Sequence, residues 1–228
     1  MNDKRGVILF VKLPEKGRVK SRLALHIGED AALHLYENMV LDVLDMLKKG
    51  RFPFRICFTP LDAHDQMAGW LGQEYDYLPQ NGDNLGDRME DAFDSVFAGG
   101  VQEALLIGSD IPGLTTDVID EAFAALLKND AVIGPADDGG YYLIGFRKKS
   151  FAPGIFHDIA WSTGTVFRET MAKLREESLK VHVLPELTDI DTVEDLKKLM
   201  SQAACPAPET SRTRSFLEQR CKGILGSS

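Results

Sequence analysis

Five aspartates stand where an α/β chain would gather its chemistry: Asp110, Asp137, Asp138, Asp189 and Asp191. Asp110 closes the apolar run EALLIGSD (103–110), where a charge is expensive to bury unless a cation or hydrogen bonds offset it. Asp189 and Asp191 flank Ile190, so an extended segment points both side chains the same way. That spacing presents two oxygens to one hard cation. Mg²⁺ in particular takes one or two carboxylates and completes its shell with water and substrate phosphates. Asp137 and Asp138 precede Gly139 and Gly140 between two apolar runs. Each feature also has a plainer role: Asp191 and Asp110 as caps, and the Asp-Asp-Gly-Gly segment as a simple hairpin turn.

The opposite charge collects near the start of the chain. KLPEKGRVKSR (12–22) carries Lys12, Lys16, Arg18, Lys20 and Arg22 against one acid, Glu15. Gly17 allows a tight turn or a close backbone approach to a ligand. Clustered cations repel one another unless an anion or solvent offsets them, and a polyphosphate is their natural partner. The alternative is a solvated basic loop. No Walker A spacing, no G-x-S-x-G and no cysteine with a plausible histidine partner is present. The five histidines are scattered. Tyr141, Tyr142 and Trp161 suit core packing, or stacking against a ligand.

The elements that must position these residues alternate in type. Strands are expected at 7–11, 54–59, 74–78, 103–110, 131–136, 141–146 and 180–185. Helices are expected at 29–48, 62–71, 85–98, 117–127, 164–176 and 193–200, the last opened by a Thr192–Asp195 capping box. Such alternation implies right-handed crossovers and a mostly parallel sheet. Ligands then bind beyond the carboxyl ends of the strands, which is where the basic loop and the aspartates follow their strands. After Met200 the composition shifts to a linker, SQAACPAPETSRTR, so a domain is expected over 1–200 and a tail over 201–228, with 215–225 a docking helix or a frayed end.

Composition narrows the classes. The chain has 228 residues and a net charge of −9. That argues against nucleic-acid and membrane-surface binding. No apolar run is long enough to span a bilayer. The N-terminal MNDKRGVILFVKL reads as a buried first strand rather than a signal peptide. Three widely spaced cysteines, Cys57, Cys205 and Cys221, fit a reducing, cytoplasmic setting.

Six segments in order, FVKLPEKGRVKSRL, GDNLGDRMEDAF, GSDIPGLT, IGPADDGGYYLIG, FHDIAWST and DIDTVEDL, together resemble an uncharacterised bacterial GT-A-like family of glycosyltransferases or nucleotide-diphospho-sugar transferases. They are more distantly similar to the 2-phospholactate and molybdopterin guanylyltransferases. The resemblance spans about residues 5–200. It implies a three-layer αβα sandwich on a Rossmann-like sheet and an Mg²⁺- or Mn²⁺-dependent transfer from a nucleoside triphosphate or nucleotide sugar to an unidentified acceptor. A nucleotide-binding module without turnover is the alternative. By the same resemblance Lys12, Gly17, Lys20 and Arg22 hold phosphates, Gly86 and Arg88 approach the base or acceptor, and Asp110 meets the metal and ribose–phosphate. Asp189 and Asp191 complete the metal site. Asp137 or Asp138 orients the acceptor or acts as base, with Lys20 also catalytic. Two departures stand out: Lys20-Ser21-Arg22 replaces the family's common Lys-Thr-Arg, and Ile111 stands where a glycosyltransferase D-x-D would end.

Overall fold

The computed structural model describes residues 4–201 and 211–221. Its centre is β1 (Arg5–Lys12), whose residues Val7, Ile8, Leu9 and Val11 are all buried. Burial of successive residues means that both faces of the strand are covered, as in a parallel sheet. Beside it run β2 (Phe54–Thr59), β3 (Tyr77–Pro79), β4 (Glu103–Ile107), β5 (Ala131–Pro135), β6 (Tyr141–Arg147) and β7 (Val181–Val183). The seven strands form one sheet in the order β3-β2-β1-β4-β6-β5-β7. Only β6 runs antiparallel to its neighbours. It does so because the Asp137–Gly140 turn folds it straight back on β5, with Ala136 N donating to Gly140 O at 3.0 Å.

The alternation of side chains along β1 divides the core in two. Val7, Leu9 and Val11 face the layer built by α2 (Glu29–Gly50), α3 (His64–Leu71), α5 (Thr116–Leu126) and α7 (Val193–Ser201). Ile8 faces the other layer, where α4 (Leu85–Ala98) and α6 (Val166–Glu176) bring Met89, Phe93, Val96 and Leu174 against Leu106, Ile144 and Phe146. The αβα sandwich follows from this. Leu35, Met39, Val43 and Leu47, spaced four apart on α2, are all buried, as a single apolar stripe on a helix requires. Cys57 is buried in β2, and burial pushes its thiol up to about 12, so it is held as an inert thiol.

Two local expectations give way. The basic segment is not loop throughout: α1 (Ser21–Ile27) begins inside it, because Leu23 has a buried site to fill. The third strand lies at 77–79 rather than 74–78, since the ladder opens only where Asp76 O accepts from Ile56 N at 2.9 Å. Ser201 is the last residue of α7, and most of the expected linker falls outside the described residues, as does the end of the chain beyond 221. Residues Arg212–Phe216 form a short helix, α8, on α2: Asp42 accepts from Arg212 N at 2.9 Å and Thr213 N at 2.8 Å. Leu217 is buried in the larger core layer. Among the described residues, no helix is long and apolar enough to cross a membrane.

Candidate active site

The strand order reverses at β1: the chain moves outward to β2 and β3, then returns to place β4 on the other side of β1. A cleft forms beyond the carboxyl ends of strands at such a point. The segment after β1 and the segment after β4 are therefore forced together there. Lys20 comes from the first and Asp110 from the second, ninety residues apart. Lys20 Nζ donates to Asp110 Oδ2 at 2.7 Å and lies 3.8 Å from Asp191 Oδ1.

The backbone of Lys20 has φ 48°, in the left-handed region, just ahead of α1. That conformation costs free energy for a residue with a Cβ and persists only when the surroundings over-determine it. Here it turns the side chain inward, so that only 4% of it is exposed while 37% of the Asp110 side chain faces the cavity. Burial alone would push the ammonium down, but Asp110, with Asp191 and Asp189 behind it, more than offsets this and holds it above the ordinary lysine value. Burial would likewise raise Asp110, and the Lys20 ammonium outweighs that and holds its carboxyl low. The pair is a fixed cation with a fixed counter-ion.

This pair stands on the floor of a cavity of about 420 Å³, whose walls include Lys12, Arg18, Lys20, Thr59, Gln80 and Asp110. Lys12 Nζ donates to Arg18 O at 2.6 Å, which folds the basic segment over the cavity mouth. Tyr36 clamps the end of β1, accepting from Lys12 N at 2.8 Å and donating to Lys12 O at 3.0 Å. Gln80 is buried and donates from Nε2 to Cys57 O at 2.7 Å.

A second cavity of about 540 Å³ adjoins the first and shares Leu85, Gly108, Asp110, Tyr141, Tyr142 and Asp191 with it. Its remaining walls include Arg22, Asp138, Asp189, Trp161, Ser162 and Thr163. Two close approaches shape it. Gly139 has φ +89°, and a Cβ there would collide with Gly164 O, so the Asp138 turn and the Trp161–Gly164 loop meet backbone to backbone. At Gly86 a Cβ would lie 2.6 Å from Phe156 O and 2.9 Å from Trp161 Cζ2, so the first turn of α4 packs directly on the indole. The loop is anchored by Glu169, which accepts from Ala160 N at 2.8 Å and Thr165 Oγ1 at 2.6 Å.

The aspartates meet different fates. Asp138 Oδ1 accepts from Gly140 N at 2.7 Å and lines the second cavity. Asp137 turns the other way, to Thr188 Oγ1 at 3.0 Å and to Lys198, and lines neither cavity. Asp191 lies 3.4 Å from Arg22. Asp189 has no cation paired to it among the described residues; burial and the nearby Asp138 push its carboxyl up to about 7. The stretch before α7 is fixed by the expected capping box: Asp195 Oδ2 accepts from Thr192 N at 2.7 Å, and Asp195 N donates back to Thr192 Oγ1 at 3.2 Å.

Of the charged residues singled out by sequence, Lys12, Arg18, Lys20, Asp110 and Asp191 line the first cavity, and Arg22, Asp110, Asp138, Asp189 and Asp191 the second. Gly17 and Arg88 line neither; Arg88 Nε donates to Gly82 O at 3.1 Å and shapes the turn ahead of α4. Gly86 sits behind Trp161. Sequence reasoning passed over Gln80, Thr59, Ser162 and Thr163. Gln80 carried one usable sign, a polar residue immediately after a strand. Among the described residues no three or more His, Cys, Asp or Glu side chains form a ready-made metal cage. The chemistry of Asp110, Asp189 and Asp191 nonetheless suits a hard cation arriving with phosphate oxygens: the donors are carboxylates, and the burial and carboxylate repulsion that lift Asp189 are what a cation would offset.

A family of uncharacterised proteins conserved in bacteria, DUF2064, matches residues 42–163. A Desulfovibrio desulfuricans protein, provisionally named a nucleotide-diphospho-sugar transferase, is 38% identical over 98% of each chain, with a TM-score of 0.93. A Leptospira borgpetersenii cytidylyltransferase shares the fold at 15% identity, covering 99% of this chain and 98% of that one, with a TM-score of 0.54. A Mycobacterium tuberculosis protein solved with manganese does so at 15% identity, over 87% and 98% of the two chains, with a TM-score of 0.51. No curated protein matches the chain.

Proposed function

The chain belongs to the bacterial DUF2064 family, and on that premise we propose that it is a transferase acting on a nucleotide-activated donor. The observation that carries the reading is the pairing of two joined cavities, one walled by Lys12, Arg18 and Lys20 and the other by Asp138 and Asp189, with Asp110 and Asp191 at their junction. The first suits the donor's phosphates and the second an acceptor. The name of the Desulfovibrio relative supports a nucleotide-diphospho-sugar donor.

Each side chain has a role that its surroundings favour. Lys20 stays protonated and is pre-aimed by Asp110, so it offers positive charge to a leaving diphosphate without reorganising. Lys12 and Arg18 close over the same oxygens from the mouth. Asp138, held by Gly140 N, orients the acceptor and accepts its proton. Asp189 and Asp191, with Asp110 beside them, are the residues that would hold Mg²⁺ or Mn²⁺. Such an ion would supply further charge neutralisation at the diphosphate. No covalent nucleophile is needed, since positioning and electrostatics do most of the task in such transfers.

A ligand that binds only the folded state raises the melting temperature by mass action. The test is a thermal-shift panel of nucleoside di- and triphosphates and nucleotide sugars, with and without Mg²⁺ or Mn²⁺. At least one nucleotide should raise Tm, more with metal than without. A panel in which none does, in either condition, overturns the proposal.

A further inference from the structure

The charge of the second cavity bears on what the acceptor is. Its charged walls are Arg22, Asp110, Asp138, Asp189 and Asp191. Two of these carboxylates already have cations, Asp110 through Lys20 and Asp191 through Arg22. Asp138 and Asp189 have none paired to them among the described residues. Asp189 is one of the residues assigned to the metal, whose charge the donor's diphosphate offsets, which leaves Asp138; a phosphorylated acceptor carries between one and two negative charges near neutral pH, and here it would meet that carboxylate and no unpaired cation. In the first cavity the balance is the reverse.

The rest of the wall has a recognisable chemistry. Trp161 is half-buried, backed by Gly86 and Phe156 O and fixed by the Glu169 anchor, so its ring is a rigid apolar surface. Its neighbour Ser162 has φ 64° and stands exposed at the rim. A carboxylate offers hydrogen-bond acceptors, so Asp138 calls for a donor, and a neutral hydroxyl offers one at no cost in charge repulsion. An aromatic wall facing hydrogen-bond acceptors suits a molecule with one carbon face and several hydroxyls.

We infer that the second cavity takes an uncharged polyhydroxylated acceptor, a sugar or polyol, with its carbon face on Trp161 and a hydroxyl donating to Asp138. The inference rests on the donor reading above and narrows it: transfer is onto a hydroxyl oxygen, not onto a phosphate. The bond from that oxygen to the transferred group forms as the bond from the group to the donor's diphosphate breaks. The hydroxyl proton passes to Asp138, and the diphosphate departs into the basic cavity.

The chain has two tryptophans, so Trp70→Phe leaves Trp161 as the reporter. This variant is titrated with glucose, mannose, glycerol and inositol, each beside its phosphate monoester, in the presence of a nucleoside diphosphate and Mg²⁺. At least one uncharged compound should change the emission and bind at least tenfold more tightly than its own ester. Asp138→Ala should weaken it at least fivefold. Calorimetry on the unaltered protein should give the same ranking without relying on either indole. Tighter binding of the esters, or no response to any uncharged polyol while nucleoside diphosphates still raise Tm, overturns the inference and spares the donor reading. Polyol binding with no nucleotide response overturns the donor reading instead.

Discussion

Lys20 and Asp110 on one side of the cleft, and Asp138 and Asp189 on the other, are drawn from loops at the same edge of the sheet, yet their electrostatics are opposed. The first two are an ion pair 2.7 Å long, each holding the other charged against the cost of burial. The second two are like charges, and burial together with the nearby Asp138 pushes Asp189 up to about 7. A satisfied pair is rigid and ready, which suits a group that must present charge to a leaving diphosphate. A frustrated pair lacks a partner that the folded chain does not supply, which suits a group that must receive a ligand. The sharpest way to break this comparison is Lys20→Met. It removes the cation and leaves Asp110 uncompensated at the cavity floor. Breaking a buried pair costs about 3–5 kcal/mol, and since Asp110 keeps partial exposure the lower end applies. Nucleotide binding measured by calorimetry should fall roughly 10- to 100-fold, the loss of one hydrogen bond between charged groups at about 1.5–3 kcal/mol. A variant that binds nucleotide like the parent would show that the pair is structural.

The two regions should also separate by pH, with opposite signs. Asp110 is depressed, so its contribution is present above the ordinary Asp value of 3.8 and is lost as pH falls through the lower folded value. Asp189 is raised. The folded state then holds a proton that the unfolded chain has released between pH 3.8 and about 7, so its stabilisation is full below that window and disappears as pH rises through 7. Asp189→Asn removes the second slope and leaves the first. Relative to the parent it should gain about 1–2 kcal/mol above pH 7, after allowing for solvent screening, and nothing near pH 4. Urea unfolding at pH 4, 6 and 8 reads this directly. A parent and variant that run parallel across that range would mean Asp189 titrates as an ordinary aspartate.

Much of the scaffold was legible because periodicity reports burial. The spacing of Leu35, Met39, Val43 and Leu47 announced α2, and the turn chemistry of Asp137–Gly140 announced a hairpin. What periodicity does not carry is partnership. Nothing local to Lys20 points to Asp110, ninety residues away. Their meeting follows from the strand order, which is settled by packing across the whole sheet. The same holds for adjacent residues: Asp137 and Asp138 look equivalent as letters, but the turn sends one to Lys198 and the other into the cavity. Trp161 reads as a core residue until the absence of a side chain at Gly86 lets it stand half-exposed beside the cleft.

The finest distinction between the regions lies in how each aspartate is aimed. Lys20 aims Asp110 by direct contact, whereas the backbone that carries Asp191 is set at one remove, by the capping box that starts α7. Asp195 Oδ2 accepts from Asp191 N at 3.1 Å as well as from Thr192 N and Thr192 Oγ1, so one carboxylate ties the metal-candidate segment to the helix. Thr192→Ala removes the hydroxyl from both halves of the box while leaving the amide contacts to Asp195. Losing a capping side chain costs about 1 kcal/mol. If the box only ends a helix, that loss is all that should appear, and nucleotide affinity with and without Mg²⁺ should match the parent. If it aims Asp191, the metal-dependent increment in nucleotide affinity should shrink several-fold while metal-free binding, which rests on Lys12, Arg18 and Lys20, stays as it was. Thr192→Ser should restore the increment, because a serine hydroxyl makes the same reciprocal bonds without the methyl group.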